Sequence, residues 1–322
     1  MKRAVLITFI FVGSLFLFST QSSHEEIIEQ KLIEEIPPPQ PATSLPAAAE
    51  ENNPPPPTEE QEELPSPTPP SPTPVTELPP PPPPKKPIAQ SQLYTKGLSA
   101  TVNFLCPNSD NTYTVATGAI IDAHGYIISN AHIVNKNNSQ PLCTIRAGSP
   151  AVPIGKAKLV FIPRDYQSTL DEQAKAYLDI SLWKLEESHN DWPHWDINFD
   201  SRVNENDEIL TQSYPAELLS SEIIFKNLGL LFSTAIVSEK DEALISAHAT
   251  ISAQHGSSGG ILIDPYTGKL YGIIFGISAD PKQSVSERLL YAITPSRINA
   301  IIWQETKKQF GEYLATLPEP AY

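Results

Sequence analysis

Three segments far apart along the chain contain residue types that together could carry out nucleophilic catalysis. His132 follows the segment TGAIIDAHGYIISNA, Asp179 precedes the apolar run ISLWKL, and Ser258 lies within the segment HGSSGGIL. A serine hydroxyl is a weak nucleophile at neutral pH, so it needs a base such as imidazole to take its proton. The imidazole in turn needs a buried carboxylate that fixes its tautomer and stabilises its cation. Glycines beside the serine allow backbone N–H groups to face a developing oxyanion.

Each of these residues has a simpler interpretation when it is considered alone. A single histidine is more often structural than catalytic, an aspartate before a strand is usually a turn or cap residue, and a GSSGG segment is usually a flexible turn. The prediction of a serine hydrolase site therefore depends on the presence of all three, because the chemistry requires all three.

The elements that must position these residues are mostly short strands. Runs of β-type residues separated by turn signals, without long intervening helices, occupy most of the chain after residue 88, a pattern typical of a sandwich or barrel. The predicted strands include residues 100–105, 113–121, 126–129, 158–162, 180–185, 229–237, 260–263 and 270–277. One helix is predicted over residues 297–315, because proline in the preceding segment Thr294-Pro295-Ser296 suits a helix start.

The same motifs resemble those of the chymotrypsin-fold (trypsin-like) serine peptidases, in particular the bacterial HtrA/Deg-type branch. The order of His132, Asp179 and Ser258 is that of the family. TGAIIDAHGYIISNAHIV is similar to the branch's hairpin before its catalytic histidine, and DISLWKL is similar to its Asp-Ile-Ala-Leu-Leu strand. GSSGGIL stands where the family has Gly-Asn-Ser-Gly-Gly-Pro-Leu. NDEILTQSYP and YAITPS are similar to a strand entering a Gly-x-Pro turn and to the last strand before the terminal helix.

This resemblance implies an all-β fold of two packed antiparallel six-stranded β-barrels with a C-terminal helix. The first barrel is expected at about residues 88–197, and the second barrel with the helix at about residues 198–322. The resemblance also assigns roles: Ser258 is the nucleophile, His132 the general base and then acid, and Asp179 the orienting carboxylate. The backbone N–H groups of Gly256 and Ser258 would form the oxyanion hole.

The sequence departs from the family pattern at several positions. Ser257 stands where zymogen-type relatives have an aspartate that pairs with a freed N-terminus, so no activation salt bridge of that kind is expected. Ser252, six residues before the nucleophile, is the expected floor of the primary specificity pocket, with Phe275 and Gly276 in its wall. A floor without a carboxylate indicates a preference for small or medium apolar side chains. The chain ends soon after the predicted helix, so no PDZ domain is expected.

Other motifs bear on disulfides, metals and cofactors. Cys106 and Cys143 flank the histidine segment. If they are paired, they close a loop of about 38 residues, worth roughly 3–4 kcal/mol in the chain-entropy model; two free buried thiols are the alternative. His189 and His194 in SHNDWPHWD could suggest zinc, but their setting resembles an aromatic loop, so neither a metal nor a cofactor is expected.

The N-terminal part of the chain has the composition of an export segment followed by a spacer. Lys2 and Arg3 precede an apolar run, so residues 1–20 are predicted to be a cleaved signal peptide or an uncleaved membrane anchor; a buried core helix is the less favoured alternative. Residues 21–87 are rich in proline and glutamate and are predicted to be a disordered, semi-rigid spacer. A PxxP ligand for a partner domain is the other interpretation of that spacer.

Charge limits the partners of the protein. The formal net charge of −15 disfavours nucleic acid as a partner, because binding a polyanion requires a basic face. Residues 88–322 are therefore predicted to be an exported or membrane-anchored serine endopeptidase that acts on protein or peptide substrates outside the cytoplasm. The membrane is a partner only if the N-terminal segment is uncleaved, and the sequence leaves the oligomeric state open. The alternatives are a catalytically silent binding module with the same fold and an adhesion or spacer protein whose function lies in the proline region.

Overall fold

The computed structural model describes residues 86–134, 142–186, 191–199, 203–249, 251–278 and 284–317. The predicted apolar segment over residues 1–20 and all but the last residues of the predicted spacer lie outside this part of the chain. Within the described residues, no helix is both long and apolar enough to cross a membrane.

Twelve strands of the described residues form two closed antiparallel barrels of six strands each. The first barrel has the order β1-β2-β3-β6-β5-β4, with strands β1 (Thr101–Pro107), β2 (Tyr113–Ile120), β3 (Tyr126–Ser129), β4 (Leu142–Ala147), β5 (Val152–Phe161) and β6 (Ser181–Leu185). The second has the order β10-β11-β12-β9-β8-β7, with β7 (Glu208–Ser213), β8 (Leu231–Lys240), β9 (Leu244–Ala249), β10 (Ile261–Ile263), β11 (Leu270–Ile277) and β12 (Leu289–Ile293). The predicted all-β fold of two six-stranded barrels is confirmed.

The two barrels share one apolar interface because side chains on successive strand residues point to opposite faces. On β3, Ile127 packs into the core of the first barrel, whereas Ile128 packs into a second cluster shared with the other barrel. On β6, Trp183 packs into the core of the first barrel, and Leu182 packs into the shared cluster. Residues of β7, β10 and β11 complete the shared cluster, which holds the barrels against each other: Leu210, Ile261, Ile263, Leu270 and Ile273.

Short helices surround the barrels. Their bounds are α1 (Gln90–Ala100), α2 (Arg164–Ser168), α3 (Glu172–Ala176), α4 (Ser221–Lys226), α5 (Pro295–Thr306) and α6 (Phe310–Thr316), with one 3₁₀ turn at Val285–Glu287. The sequence did not predict α1, which lies directly before β1. Gln212 of β7 fixes this helix, since its side-chain amide donates to the Leu93 carbonyl oxygen (2.9 Å) and accepts from Thr101 Oγ1 (2.9 Å).

The single C-terminal helix predicted over residues 297–315 is wrong in one respect, because the structure divides it into α5 and α6. Lys307 has a left-handed φ of 60° and ends α5. Gln309 then begins a new helix with a capping box that it forms with Glu312. The division places Phe310 in the shared apolar cluster, so burial of this ring accompanies the break.

A disulfide connects two strands of the first barrel. The sulfur atoms of Cys106 on β1 and Cys143 on β4 lie 2.06 Å apart. Both residues are buried, and their strands are hydrogen-bonded neighbours. The crosslink closes the chain around β2 and β3, the hairpin that leads to His132.

Candidate active site

His132 and Asp179 are brought together by the pairing of β3 with β6. These strands run antiparallel with Ser129 opposite Ser181, so the residues after β3 lie beside the residues before β6. Two side-chain hydrogen bonds fix this junction. Asn130 Nδ2 donates to the Asp179 carbonyl oxygen (2.9 Å), and Ser181 Oγ donates to the Asn130 carbonyl oxygen (2.6 Å).

The Asp179 carboxylate contacts both the backbone and the ring of His132. Oδ1 accepts the His132 backbone N–H at 2.8 Å, and Oδ2 lies 2.6 Å from the ring Nδ1. Asp179 is only 4 % exposed, so this charge-assisted contact is formed away from water, where it is stronger. A proton on Nδ1 satisfies the contact, which leaves the Nε2 lone pair as the acceptor for a substrate or hydroxyl proton.

Ser258 lies in a tight turn between two glycines with left-handed backbone angles. Gly256 has φ 92° and Gly259 has φ 80°, conformations that favour glycine. The Ser257 N–H donates to the Gln254 carbonyl oxygen (3.0 Å), and the Gly259 N–H donates to the Ile274 carbonyl oxygen (2.7 Å). The half-buried Ser258 is thereby held between a turn and strand β11.

Thr117 of β2 connects this turn to the first barrel. Its N–H donates to the Ser258 carbonyl oxygen (2.7 Å), and its hydroxyl donates to the Gly256 carbonyl oxygen (2.8 Å). The same hydroxyl accepts the Tyr214 N–H at 2.9 Å. The approach is so close that a Cβ at Gly259 would overlap the Thr117 carbonyl oxygen. Since β2 pairs with β3, these contacts attach the serine turn to the hairpin that leads to His132.

Two backbone N–H groups beside Ser258 are available as donors. The His255 carbonyl oxygen accepts from the N–H groups of Ala216 (2.8 Å) and Glu217 (3.3 Å). In a trans peptide the N–H points opposite to the carbonyl, so this anchoring turns the Gly256 N–H to the other side of the peptide plane. Among the described residues, neither the Gly256 N–H nor the Ser258 N–H donates to a protein acceptor. This arrangement suits an oxyanion hole.

The nucleophile and base candidates are held separately. His132 follows β3 of the first barrel, whereas Ser258 precedes β10 of the second barrel. In unliganded sites the hydrogen bond between nucleophile and base is often long, and it shortens when substrate binds.

The residues predicted for the specificity pocket are all buried. The Ser252 hydroxyl lies 2.7 Å from both Thr211 Oγ1 and Ser233 Oγ, so it is already hydrogen-bonded within the second barrel. Phe275 packs near Tyr291, with ring centroids 6.4 Å apart, and Gly276 follows it on β11. The assignment of these residues to a pocket stays a prediction. Of the two histidines considered for metal, His189 lies outside the described residues, and His194 Nδ1 lies 2.9 Å from the Trp192 carbonyl oxygen.

Sequence reasoning missed the residues that hold the serine turn in place. Thr117 lies at the start of a motif that was recognised, but its two hydroxyl contacts are to residues 97 and 139 positions away along the chain. Tyr214, adjacent to the loop that anchors His255, is fully buried, and its hydroxyl donates to the Gly148 carbonyl oxygen (2.8 Å). Burial raises the pKa of this phenol above its ordinary value, so it remains a neutral donor. Nothing in the sequence marks either role.

Comparisons with known proteins gave a family match and structural matches. Residues 116–273 match the family model described as the trypsin-like peptidase domain, a segment that contains His132, Asp179 and Ser258. The crystal structure of the serine endoprotease from Yersinia pestis aligns with a TM-score of 0.49 and 19% sequence identity, covering 70% of this chain and 69% of that chain. No curated protein sequence matches the chain.

Two closed six-stranded antiparallel barrels, with a histidine–aspartate contact on one and a glycine-flanked serine turn on the other, define a protein of the chymotrypsin fold. Within that class, the segment over residues 116–273 is similar to the trypsin-like peptidase domain.

Proposed function

We propose that the protein is a serine endopeptidase that hydrolyses peptide bonds through an acyl-enzyme with Ser258, His132 and Asp179. The observation that carries the proposal is the 2.6 Å contact between His132 Nδ1 and the buried Asp179 carboxylate, because it presents Nε2 as a base. The fold and the family domain agree with this chemistry.

In the proposed reaction, the Ser258 oxygen forms a bond to the substrate carbonyl carbon while its proton passes to His132 Nε2. The N–H groups of Gly256 and Ser258 stabilise the oxyanion of the tetrahedral intermediate. The carbon–nitrogen bond then breaks as His132 returns the proton to the leaving amine. Water, deprotonated by the same imidazole, then adds to the acyl carbon. The bond from this carbon to the Ser258 oxygen breaks, His132 returns the proton to that oxygen, and the acid product leaves.

We further propose that the peptidase works outside the cytoplasm, as a relative of the HtrA/Deg-type branch, displayed on the proline-rich spacer of residues 21–87. Lys2, Arg3 and the apolar run that follows support export. The Cys106–Cys143 disulfide supports it independently, because such bonds persist in oxidising compartments. The absence of a carboxylate at Ser252 supports substrates with small or medium apolar side chains before the scissile bond.

A fluorophosphonate probe tests the proposal directly. Attack by an activated serine on phosphorus expels fluoride and leaves a stable phosphonyl-serine that peptide mass mapping can locate. We expect labelling of the folded protein at Ser258 and no labelling after heat denaturation. Ser257→Ala serves as the matched control and is expected to retain labelling, because Ser257 is buried and its hydroxyl contacts Ser213 Oγ (3.1 Å) rather than His132.

The alternative drawn from the sequence, a catalytically silent binding module on the same fold, predicts a different result. The same probe separates the two candidates. Folded wild-type protein that resists labelling at Ser258 would be such a module and not an enzyme.

The close contact between barrels gives a further prediction at Gly259. Gly259→Ala adds a Cβ that overlaps the Thr117 carbonyl oxygen and strains a φ of 80°, so the serine turn must move away from β2. A displacement of about 1 Å costs roughly 10²-fold in rate, so we expect kcat to fall by about that factor or more. Gly311→Ala is the control, because no atom lies within 4 Å of the added Cβ. Equal kcat values for the two variants on a fluorogenic peptide would contradict the prediction.

A further inference from the structure

A partly buried ion pair lies next to His255, the residue directly before the serine turn. Arg288 Nη1 lies 2.9 Å from Glu217 Oε1 and 2.8 Å from Oε2. The side chains of Arg288 and Glu217 are 12% and 18% exposed, respectively. Glu217 belongs to the loop between β7 and α4, whereas Arg288 directly precedes β12, so the pair joins two separate loops of the second barrel.

Glu217 holds His255 through both of its backbone polar groups. The Glu217 carboxylate Oε2 accepts the His255 N–H at 3.1 Å, and the Glu217 N–H donates to the His255 carbonyl oxygen at 3.3 Å. Ala216 adds a second donor to the same carbonyl at 2.8 Å. The peptide plane between His255 and Gly256 is therefore fixed, and with it the direction of the Gly256 N–H.

The residue directly before the nucleophile contributes no charge to this arrangement. Ser257 contacts Ser213 Oγ at 3.1 Å, a neutral contact between two hydroxyls. The charge that steadies the turn comes instead from Glu217 on the neighbouring loop. Arg288 is the cation paired with it, so the carboxylate that accepts the His255 N–H is also held from the residue before β12.

We propose that Glu217 and Arg288 are positioning residues. They hold the serine turn in the conformation in which the Gly256 N–H faces the oxyanion. The inference rests on the proposed peptidase function and adds to it an ion pair that restrains the His255–Gly256 peptide. Without the ion pair, the His255–Gly256 peptide loses a charge-assisted anchor and samples orientations in which the Gly256 N–H no longer faces the oxyanion. Because an oxyanion forms only in the transition state, loss of the ion pair lowers kcat and leaves KM nearly unchanged.

The test compares Glu217→Gln, Arg288→Met and the double variant with wild type. The readouts are the rate of fluorophosphonate labelling, kcat and KM on a fluorogenic peptide, and the melting temperature. Complete loss of one oxyanion donor costs about 10²–10³-fold, so partial misorientation is expected to lower kcat by about 10–100-fold, with KM within about 3-fold. The double variant should be no slower than the slower single variant, because the two residues act as a unit.

Two further variants make the result specific. Glu222→Gln removes an exposed ion pair with Lys226 (3.1 Å; side chains 72% and 69% exposed) and is expected to leave kcat unchanged. Arg288→Lys keeps the positive charge and is expected within about 5-fold of wild type, because a single guanidinium nitrogen makes both contacts to the carboxylate. If Arg288→Met does not fold, Glu217→Gln provides the measurement, and a kcat of that folded variant within about 3-fold of wild type would overturn the inference.

Failure of this inference and failure of the proposed function give different results. If wild type is labelled at Ser258 and Glu217→Gln is labelled at the same rate, the positioning role of the ion pair is refuted while the peptidase function stands. A lower melting temperature with an unchanged kcat per folded molecule would also refute it, since the pair would then only stabilise the fold. Folded wild-type protein that is not labelled would overturn the peptidase function itself.

Discussion

Replacing Ser258 with alanine is expected to lower kcat for peptide hydrolysis by about 10⁴–10⁶-fold, with KM within a few-fold of wild type. The substitution removes the attacking oxygen but leaves both flanking glycines and the backbone contacts from Thr117 to Gly256 and Ser258 in place. Substrate binding should therefore persist while the acyl-enzyme can no longer form. Steady-state kinetics on a fluorogenic peptide, with active-site titration of wild type, measure the loss.

Combining the Ser258 variant with a second substitution tests whether the residues act together. If His132 serves only to activate Ser258, the double variant Ser258→Ala/His132→Ala should be no slower than Ser258→Ala alone. A Ser258→Ala protein that keeps more than a tenth of wild-type kcat would place the nucleophile elsewhere. The adjacent Ser257→Ala should retain wild-type kcat within a few-fold, which controls for the loss of a hydroxyl in this turn.

The local signals of the sequence were sufficient to predict an all-β fold, a sandwich or a barrel. Turn residues punctuate short β-type runs, and alternation along β3 and β6 leaves side chains on two apolar faces. The His132–Asp179 contact could be anticipated for a similar reason: one residue follows a strand, the other precedes a strand, and the two strands pair. The division into two six-stranded barrels was implied by the family resemblance, and the strand order came from the structure.

The features that were missed depend on contacts between residues far apart in the sequence. The Thr117 hydroxyl reaches Gly256 across 139 positions, and Glu217 reaches Arg288 across 71. Helix α1 carries only a weak amphipathic pattern, and its packing depends on Gln212 of the other barrel. The break between α5 and α6 accompanies the burial of Phe310 in the shared apolar cluster, whereas the sequence pattern predicted one continuous helix.

Replacing Asp179 with asparagine is expected to lower kcat by about 10⁴-fold at neutral pH while the protein stays folded. The carboxylate accepts two hydrogen bonds from His132, one from the backbone N–H at 2.8 Å and one at the ring Nδ1 at 2.6 Å. An asparagine side chain has one accepting oxygen and one donating NH₂ group, so it cannot accept both. If the oxygen keeps the backbone N–H, the NH₂ group donates to Nδ1 and drives the proton of the neutral ring to Nε2. In that tautomer, Nε2 cannot take the proton of Ser258.

A buried aspartate outside the site controls for the change in charge. Asp264 is 5% exposed and anchors the hairpin between β10 and β11 by accepting the Tyr266 N–H at 2.8 Å. Asp264→Asn is expected to alter stability without a comparable loss of kcat, because its side chain faces no group of the proposed site. The fluorophosphonate labelling rate of Asp179→Asn should fall in parallel with kcat, since both reactions require the same deprotonated serine. A fall of less than 10-fold in both, in a protein with a normal melting temperature, would mean that Asp179 does not set the tautomer of His132. The 2.6 Å contact would then be structural, and the base would owe its activation to another group.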